Sequence, residues 1–395
     1  MKTSTAILFF SILILILSLL NWYILRRVTQ ASQGIKWLSV IVVVIVVIGN
    51  ISFLTGMIFE KSKFQLLISV LKWIGSYWLA YMLYTILFLV ALDIVRILIS
   101  VTGAASGIVA NNIAFIRLLL LFVVFLYSTT LIFVGRRNAV NTRVKTISID
   151  IPRKKSELNE LNVMYASDIH LGSIIHKKDV QRIVDIADDY DPDLILFGGD
   201  ILDSDVQPAI RYNSGEPLKK LHPQFGVYAV TGNHEYISRD IDKAAGYIES
   251  LNIYLLRDSV ADVNGCFNIA GREDRDMTTF TGKERLPLPE LLSKANKDLP
   301  LILMDHQPFN LDQSSELGVD LHLSGHTHNG QLWPLNLLTD AIFEKSWGYL
   351  KKGATHFYVS CGFGVWGPKV RLGSYSEIVM INIKFIDNYE DEEPK

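Results

Sequence analysis

The chain has 395 residues, of which 50% are hydrophobic, and its mean hydropathy is +0.27. It is long enough for two domains and too apolar to be one ordinary soluble domain. Residues 1–137 carry eleven basic and two acidic residues, whereas residues 138–395 carry 27 basic and 38 acidic residues. The net charge of −2 is therefore the sum of a basic N-terminal part and an acidic C-terminal part. A basic membrane-embedded half suits anionic lipid headgroups, and the acidic half argues against sequence-independent binding to nucleic acid. Cys266 and Cys361 lie outside any CxxC spacing, so they indicate neither a disulfide framework nor a thiolate metal site.

Four long apolar runs occupy the N-terminal third of the chain, at residues 5–25, 37–59, 73–92 and 113–134. Each is close to the ~20 residues needed to cross about 30 Å of hydrocarbon. The first run is read as a retained helix rather than a cleaved signal peptide, because it ends at Trp22 and Tyr23 instead of small residues and precedes Arg26 and Arg27. Residues 1–137 are therefore predicted to form an all-α transmembrane bundle of four helices.

The distribution of Lys and Arg predicts the topology. With the N-terminus inside, cytoplasmic segments carry Lys2, Lys61, Lys63, Lys72, Arg136, Arg137, Arg143 and Lys145, and the opposite side carries Arg26, Arg27, Lys36, Arg96 and Arg117. This bias favours a multi-pass protein of the cell (inner) membrane whose C-terminal half is cytoplasmic. Asp93 and Arg96, one helical turn apart at a membrane boundary, are expected to be able to pair on one face.

After Arg137 the pattern changes to short β-type runs that alternate with amphipathic segments. Strands are predicted at residues 146–151, 161–166, 194–197, 227–230, 301–304, 321–323, 357–360 and 378–383, with a helix at 177–190. Strands interleaved with helices indicate an α/β sandwich, here assigned to a catalytic domain at residues 138–386. The remaining residues, 387–395, are predicted to be an acidic disordered tail.

Five polar clusters follow apolar strands, where α/β folds bind ligands. Any one cluster alone is weak evidence for a functional site, because a lone histidine after a strand is usually a hydrogen-bonded structural residue. Together they would bury carboxylates and imidazoles at high cost unless a cation compensates. Oxygen and nitrogen donors without thiolate suit Mn²⁺, Fe or Zn²⁺, and Asp200 at a Gly-Gly turn is the best candidate for a carboxylate shared by two ions. The clusters are 168–170, 199–203, 232–235, 305–306 and 325–328.

In chain order these clusters read D-x-H, G-D-x-x-D, G-N-H-[ED], H and G-H-x-H, and the set resembles the calcineurin-like metallophosphoesterase superfamily over about residues 145–385. The resemblance implies two central β-sheets flanked by helices and two divalent metal ions. It implies that His234 is the acid–base residue near the leaving oxygen and that Asp203 orients it. The implied ligands are Asp168, His170, Asp200 and His328 for the first ion, and Asp200, Asn233, His306 and His326 for the second.

The extended ending Gly-His-Thr-His-Asn-Gly-Gln, together with residues 360–364 and 368–371, is most similar to the YkuE-like branch. That branch includes transmembrane proteins with a metallophosphoesterase domain and hydrolases of UDP-2,3-diacylglucosamine, a lipid A precursor. Asn329 stands where the branch usually has a second glycine, a difference that removes no ligand.

The leading hypothesis is a membrane-bound dinuclear phosphoesterase that cleaves a phosphoester or pyrophosphate bond, with a lipid-linked nucleotide as the candidate substrate and membrane lipids as its surroundings. A membrane-tethered phosphatase or cyclic-nucleotide phosphodiesterase is the alternative within enzymes. A non-catalytic phosphate-binding membrane sensor is disfavoured, because His234 and Asp203 are kept together with the whole ligand set.

Several features stay open at this point. Residues 272–285 are either a solvated loop or a lid, and Asp305 is either a hydrogen-bond acceptor behind His306 or a solvated carboxylate. The aromatic and basic residues between Trp333 and Lys352 suit either a membrane interface or ordinary packing. The four other histidines are assigned to structural or surface positions: His176, His222, His322 and His356.

Overall fold

The computed structural model describes residues 3–32, 35–59, 64–103 and 106–387, and the chain divides into two compact units, Met1–Val134 and Gly135–Lys395. The predicted acidic tail lies outside the described residues apart from Asp387.

Four long helices make up the N-terminal part of the chain: α1 (Thr3–Ala31), α2 (Lys36–Ile58), α3 (Gln65–Thr102) and α4 (Ser106–Val140). All four contain segments long and apolar enough to cross a membrane. The third helix has 38 residues, well beyond the predicted 73–92, because the flanking residues also have helix-compatible sequences. At 1.5 Å per residue it is about 57 Å long, more than a hydrocarbon core requires.

Two pairs of polar side chains inside the first unit satisfy one another across helices, whereas the Trp78 indole and the Tyr84 hydroxyl are buried without a hydrogen-bond partner in the part of the chain that the structure describes. The amides of Asn21 on α1 and Asn50 on α2 exchange hydrogen bonds of 3.0 and 3.1 Å. Thr85 on α3 lies 3.1 Å from the Ser128 hydroxyl on α4. Such pairs remove the cost of unsatisfied groups in an apolar medium.

Asp93 has a different main partner from the one expected. Its carboxylate forms an ion pair with Arg27 on α1 and accepts a hydrogen bond of 2.7 Å from the Tyr23 hydroxyl. Arg96 Nε, the partner proposed from helical spacing, lies 4.0 Å away. Asp93 pairs more closely with Arg27 than with Arg96, because the Arg27 side chain is largely buried, whereas the Arg96 side chain is 63% exposed.

The second unit alternates strands and helices. The strands are β1 (Arg143–Pro152), β2 (Glu160–Ala166), β3 (Leu194–Phe197), β4 (Val227–Val230), β5 (Tyr254–Leu256), β6 (Ser259–Val263), β7 (Phe267–Gly271), β8 (Leu301–Met304), β9 (Leu321–Ser324), β10 (Gly348–Lys352), β11 (Thr355–Val359) and β12 (Glu377–Ile386). The helices are α5 (Lys177–Tyr190), α6 (Val206–Arg211), α7 (Asn233–Ile237), α8 (Ile241–Glu249), α9 (Met277–Thr281), α10 (Leu288–Leu292), α11 (Leu311–Glu316) and α12 (Leu335–Ile342). Short 3₁₀ helices lie at Glu216–Lys220 and His328–Gly330.

The strands form two six-stranded mixed sheets, which confirms the predicted α/β sandwich. The first has the order β1-β12-β2-β3-β4-β5 and the second β10-β11-β9-β8-β7-β6. The central pairs β2–β3, β3–β4 and β8–β9 are parallel, so their carboxyl ends point the same way within each sheet.

Alternation along the central strands places side chains on two buried faces. In β2, Val163 and Tyr165 belong to the core shared by the two sheets, whereas Met164 belongs to the core on the outer face of the first sheet. On that outer face Val180 and Ile183 of α5 are buried, which explains the amphipathic spacing of this helix. Strands buried on both faces appear in the sequence as continuous apolar runs, so they were recognisable without alternation.

Candidate metal centre

The polar clusters lie at the carboxyl ends of five strands, β2, β3 and β4 in the first sheet and β8 and β9 in the second. Asp168 and His170 follow β2, and Asp200 follows β3. The structure brings all seven expected ligand residues and the His234–Asp203 pair to this one end of the sandwich. Their positions are set by the strands, and their directions are set by the loops that follow.

Five of the seven expected ligand residues have a left-handed backbone, with φ values of 47–68°. Non-glycine residues rarely adopt this conformation, which costs on the order of 1–3 kcal/mol each and concentrates at functional sites. The turns allow successive loop residues to aim inward instead of alternating as in a strand. The five residues are Asp168, His170, Asp200, His326 and His328.

The first group of converging side chains consists of Asp168, His170 and His328, whose donor atoms lie within 4.8 Å of one another. The Nε2 atoms of His170 and His328 are 3.1 Å apart, and His328 Nε2 is 3.4 Å from Asp168 Oδ1. Two donors held at about 2.1 Å from one ion lie roughly 3–3.4 Å apart in octahedral or tetrahedral geometry. The observed spacings fit a shared divalent cation.

The second group consists of Asp200, His306 and His326. Asn233 joins it, because its Oδ1 lies 2.9 Å from His326 Nδ1. His306 Nδ1 lies 2.7 Å from the Gly198 carbonyl, which leaves Nε2 directed at the site. This Nε2 is buried without a hydrogen bond of acceptable geometry, although Asp200 Oδ2 is only 3.2 Å away. A buried nitrogen and a carboxylate that face the same point without bonding are typical of metal ligands.

Asp200 lies between the two groups. Its Oδ2 is 3.2 Å from His306 Nε2 in the second group and 4.0 Å from His170 Nε2 next to the first. Its other oxygen, Oδ1, accepts the backbone N–H of His234 at 2.8 Å. A side chain on Gly232 would overlap this carboxylate, so the glycine permits the close approach.

The electrostatics of the site leave most imidazoles neutral, which is the form that binds metal ions. Burial lowers the pKa of His170 to about 3 and that of His326 to about 4. Burial also raises the pKa of Asp168 to about 6. For Asp200, burial would raise the pKa, but the charges of His306 and His234 outweigh it and hold the value well below the usual range.

His234 and His306 are the exceptions among the site histidines. Burial opposes protonation of His306, but the charge of Asp200 outweighs burial and raises the pKa of His306 well above its usual value. His234 has the same two opposing influences. Burial opposes its protonation, but the charges of Asp200 and Asp203 outweigh burial and raise its pKa to about 9. Its Nδ1 lies 3.3 Å from Asp203 Oδ1, and its ring contacts His170 edge-on at 4.6 Å. A protonated imidazole fixed beside the two groups has a proton to donate at neutral pH.

Glu235 supports the site in a way that the sequence did not reveal. Its buried carboxylate accepts backbone N–H groups of Asp200, Leu202 and Gly232, at 3.1, 2.8 and 2.7 Å. It therefore ties the loop after β3 to the loop after β4. The acidic position of the G-N-H-[ED] pattern was the available signal, but the motif alone assigns it no contact.

Arg371 is a second residue whose role was missed. It is fully buried, its guanidinium donates to the carbonyls of Cys361 and Gly362 at 2.7 and 3.1 Å, and its Nη2 lies 3.1 Å from His328 Nδ1. Burial lowers the pKa of His328 well below its usual value, and the charges of His170 and Arg371 lower it further.

The glycine-to-asparagine difference at position 329 has a local explanation. Asn329 adopts φ +47°, a conformation that asparagine tolerates better than most residues, and its Nδ2 donates to the Gly373 carbonyl at 3.0 Å.

The segment after β7 is anchored at both ends. Asp305 is buried and accepts hydrogen bonds from Arg272 Nη1 at 2.8 Å and Arg285 Nη1 at 3.0 Å. Burial would raise the pKa of Asp305, but the two guanidinium groups lower it. The solvated interpretation of Asp305 is therefore wrong. Between the two anchors, α9 has no buried residue.

The four remaining histidines lie outside the three groups of potential metal donors found among the described residues. His322 is buried, with burial lowering its pKa to about 4, and His222 is exposed. His176 precedes α5, and His356 lies 2.9 Å from the Tyr349 hydroxyl.

Comparison with known proteins agrees with this geometry. The family model of the calcineurin-like phosphoesterases matches residues 161–330. An uncharacterized metallophosphoesterase of Aquifex aeolicus is 30% identical over 245 residues, covering 61% of this chain and 92% of the relative. An uncharacterized metallophosphoesterase of Campylobacter jejuni is 28% identical over 389 residues, covering 96% of this chain and 98% of that protein.

A transmembrane protein with a metallophosphoesterase domain from Danio rerio is 33% identical over 253 residues, or 61% of this chain. The chain spans 57% of that protein and 60% of its Bos taurus counterpart, so it matches less than two thirds of either.

Proposed function

The chain belongs to the calcineurin-like metallophosphoesterase family, and we propose that it hydrolyses a phosphoester or pyrophosphate bond with two divalent metal ions at the described centre. The observation that carries the proposal is the position of Asp200, whose Oδ2 faces both groups of donors at 3.2 and 4.0 Å. A single carboxylate placed between two ions offsets their mutual repulsion.

In this proposal Asp168, His170, Asp200 and His328 hold the first ion, and Asp200, Asn233, His306 and His326 hold the second. Oxygen and nitrogen donors without thiolate suit manganese, iron or zinc. When bound, two such ions lower the pKa of a water and offset negative charge on the phosphate oxygens.

His234 is proposed as the general acid. Its ring contacts the expected ligand His170 edge-on at 4.6 Å, and the adjacent Asp203 carboxylate favours the protonated imidazole, so a proton is available for the departing oxygen. Asp203, 3.3 Å from Nδ1, holds the ring and fixes which nitrogen faces the substrate.

The proposed substrate is amphiphilic, with its phosphate presented close to a bilayer. Four candidate membrane spans in the same chain support a membrane-proximal substrate. The YkuE-like resemblance adds UDP-2,3-diacylglucosamine as the compound to test first. A membrane-tethered phosphatase or cyclic-nucleotide phosphodiesterase is the competing enzyme class, and a phosphate-binding sensor is the non-catalytic alternative.

One assay separates these possibilities. Full-length protein in lipid vesicles is loaded with manganese, iron or zinc and given UDP-2,3-diacylglucosamine, its soluble analogue without acyl chains, a phosphomonoester and bis(p-nitrophenyl) phosphate. We expect kcat/KM to be highest for the acylated substrate. Equal turnover of the soluble analogue contradicts the lipid-linked substrate, and absence of turnover with every compound supports the sensor.

We also propose that the catalytic half is cytoplasmic in an inner-membrane protein, because the expected inside segments carry more Lys and Arg. Reporter fusions after Asp150 test this topology. A reporter active only on the outer side of the membrane contradicts it.

A further inference from the structure

The second unit has an apolar surface that the proposed chemistry does not use. Trp333, the α12 residues Leu335, Leu337, Leu338 and Ile342, and Trp366 are between 42% and 61% exposed. Leu335, Leu338 and Ile342 share one helical face because they are three and four residues apart. Contiguous exposed patches of this kind mark interaction sites, unlike single exposed apolar residues such as Tyr254 and Leu317 elsewhere in the unit.

Two of the three polar residues of α12 are hydrogen-bonded within the protein, and the third, Asn336, has its Oδ1 buried there without a hydrogen-bond partner among the described residues. Asp340 accepts a hydrogen bond from the Ser346 hydroxyl, and Thr339 donates to the Asn336 carbonyl at 2.9 Å. The helix therefore has one polar side occupied by its own chain and one apolar side that the described residues leave uncovered.

Hydrogen bonds connect this patch to the end of a candidate membrane span. The Trp333 N–H donates to the Leu372 carbonyl at 2.6 Å, and the neighbouring Arg371 N–H donates to the Gly135 carbonyl at 2.9 Å. Gly135 belongs to the candidate span Asn112–Val140 and, like α12, to the second unit. Gln331 also binds Trp366, by bonds of 2.9 and 2.8 Å, so both tryptophans are held beside the same segment.

We propose that this surface, Trp333 to Ile342 with Trp366, docks into the headgroup layer of the bilayer that the chain's own helices cross. Tryptophan favours that layer, and an exposed Leu/Ile face suits a shallow interfacial helix. The occupant is lipid because the segment that bonds Trp333 is itself hydrogen-bonded, through Arg371, to Gly135 in a candidate membrane span. The docked helix begins seven residues after His328, so it sets the height of the metal loop above the membrane whichever phosphoester is cleaved.

The attraction is apolar rather than electrostatic. Lys352, a basic residue near this segment, is paired with Asp312 and with Glu344, the latter at 2.6 Å. These carboxylates offset its charge within the protein, and the exposed side chains of the patch itself are uncharged.

The test uses full-length protein carrying Cys266→Ser, with Cys361 retained because it is completely buried. A nitroxide is attached at Leu338→Cys, and at Leu337→Cys in a second sample. The matched control is Tyr254→Cys, an exposed apolar site of the same unit at 64% exposure. After reconstitution into phosphatidylcholine vesicles, collision rates with oxygen, which enters the bilayer, and with a water-soluble nickel chelate are measured.

We expect nickel collisions at positions 337 and 338 to be reduced roughly threefold or more relative to position 254, with oxygen collisions maintained or increased. Equal nickel accessibility at all three positions overturns the proposal. Loss of both oxygen and nickel collisions, with spin–spin broadening, also overturns it, because that result shows a second protein copy on the patch. The measurement needs no substrate, so it stands or fails separately from the proposed reaction.

Discussion

The two units of this protein place the same residue types in opposite environments. In Met1–Val134, Leu15, Val47 and Phe122 are exposed, whereas Ser128 is completely buried. In Gly135–Lys395, Leu161 and Phe197 are completely buried. The difference follows from the solvent, because hydrocarbon imposes no penalty on exposed aliphatic groups and water does.

Both units nevertheless bury polar groups, and the candidate metal centre differs from the rest because several of these groups converge there. Asn21 and Asn50 satisfy each other, and Asp93 is paired with Arg27. In the second unit, His306 Nε2 is buried without a hydrogen bond beside Asp200. Mutually satisfied groups fix helix packing, whereas converging unsatisfied donors indicate a ligand.

The largest effect is expected from Asp200→Asn. A neutral amide cannot hold two cations as a carboxylate does, so we expect turnover to fall by roughly 10³-fold or more, given the usual weight of electrostatic stabilisation. Metal content per chain, measured by elemental analysis, should fall with it. The matched control is Asp188→Asn on the exposed side of α5, which should keep full activity. Two bound ions and normal turnover in the Asp200 variant would falsify the bridging assignment.

His234→Ala should affect chemistry without removing metal. We expect a loss of about 10²–10⁴-fold for alkyl esters, the range typical of acid–base catalysis, with near-normal metal content. The loss should be smaller for p-nitrophenyl esters, whose leaving group needs little protonation. If both ester classes lose the same factor, His234 does not assist the leaving group.

Metal removal should lower the stability of the second unit only. Ligands that bind the folded state stabilise it, by about 2.7 kcal/mol at a hundredfold excess over Kd. Chelation should therefore increase hydrogen exchange in the loops at residues 168–170, 199–203 and 325–328 while leaving α1–α3 unchanged. Equal protection of these loops with and without metal argues against metal ligation there.

Asp93→Asn should lower the stability of the first unit without changing the chemistry of the second. It leaves the Arg27 cation without its charged partner, and breaking a buried ion pair costs up to about 3–5 kcal/mol. Because the Asp93 side chain is still 22% exposed, we expect a smaller loss, read as a lower unfolding temperature of the helices. Turnover of a soluble diester at permissive temperature should stay unchanged. Replacing both Arg27 and Asp93 by Leu should recover much of the stability, and failure to recover it would show that the pair itself stabilises the bundle.

The sequence by itself indicated an apolar N-terminal part, an α/β part, most central strands and the polar clusters that follow them. Apolar runs identified β3, β4 and β8 with their observed bounds, because strands buried on both faces are mostly apolar. The strands β5, β6, β7 and β10 have no counterpart among the predicted strand ranges. Of these, β7 is buried throughout, but Asn268 and Gly271 interrupt its apolar run. The other three have a different reason. They are short or polar strands at or near sheet edges, where one side is exposed and the hydrophobic signal is weak.

Only the tertiary structure decided how those residues act together. Asp93 bonds Arg27, 66 positions away in the chain, and local helical spacing could indicate only Arg96. The motif contains Glu235, but its bonds to three backbone N–H groups depend on two loops meeting after β3 and β4. The position of Asp200 between two donor groups likewise requires both sheets to end at one edge. Sequence patterns record which side chains are polar and where strands end, whereas long-range pairing depends on how separate strands pack.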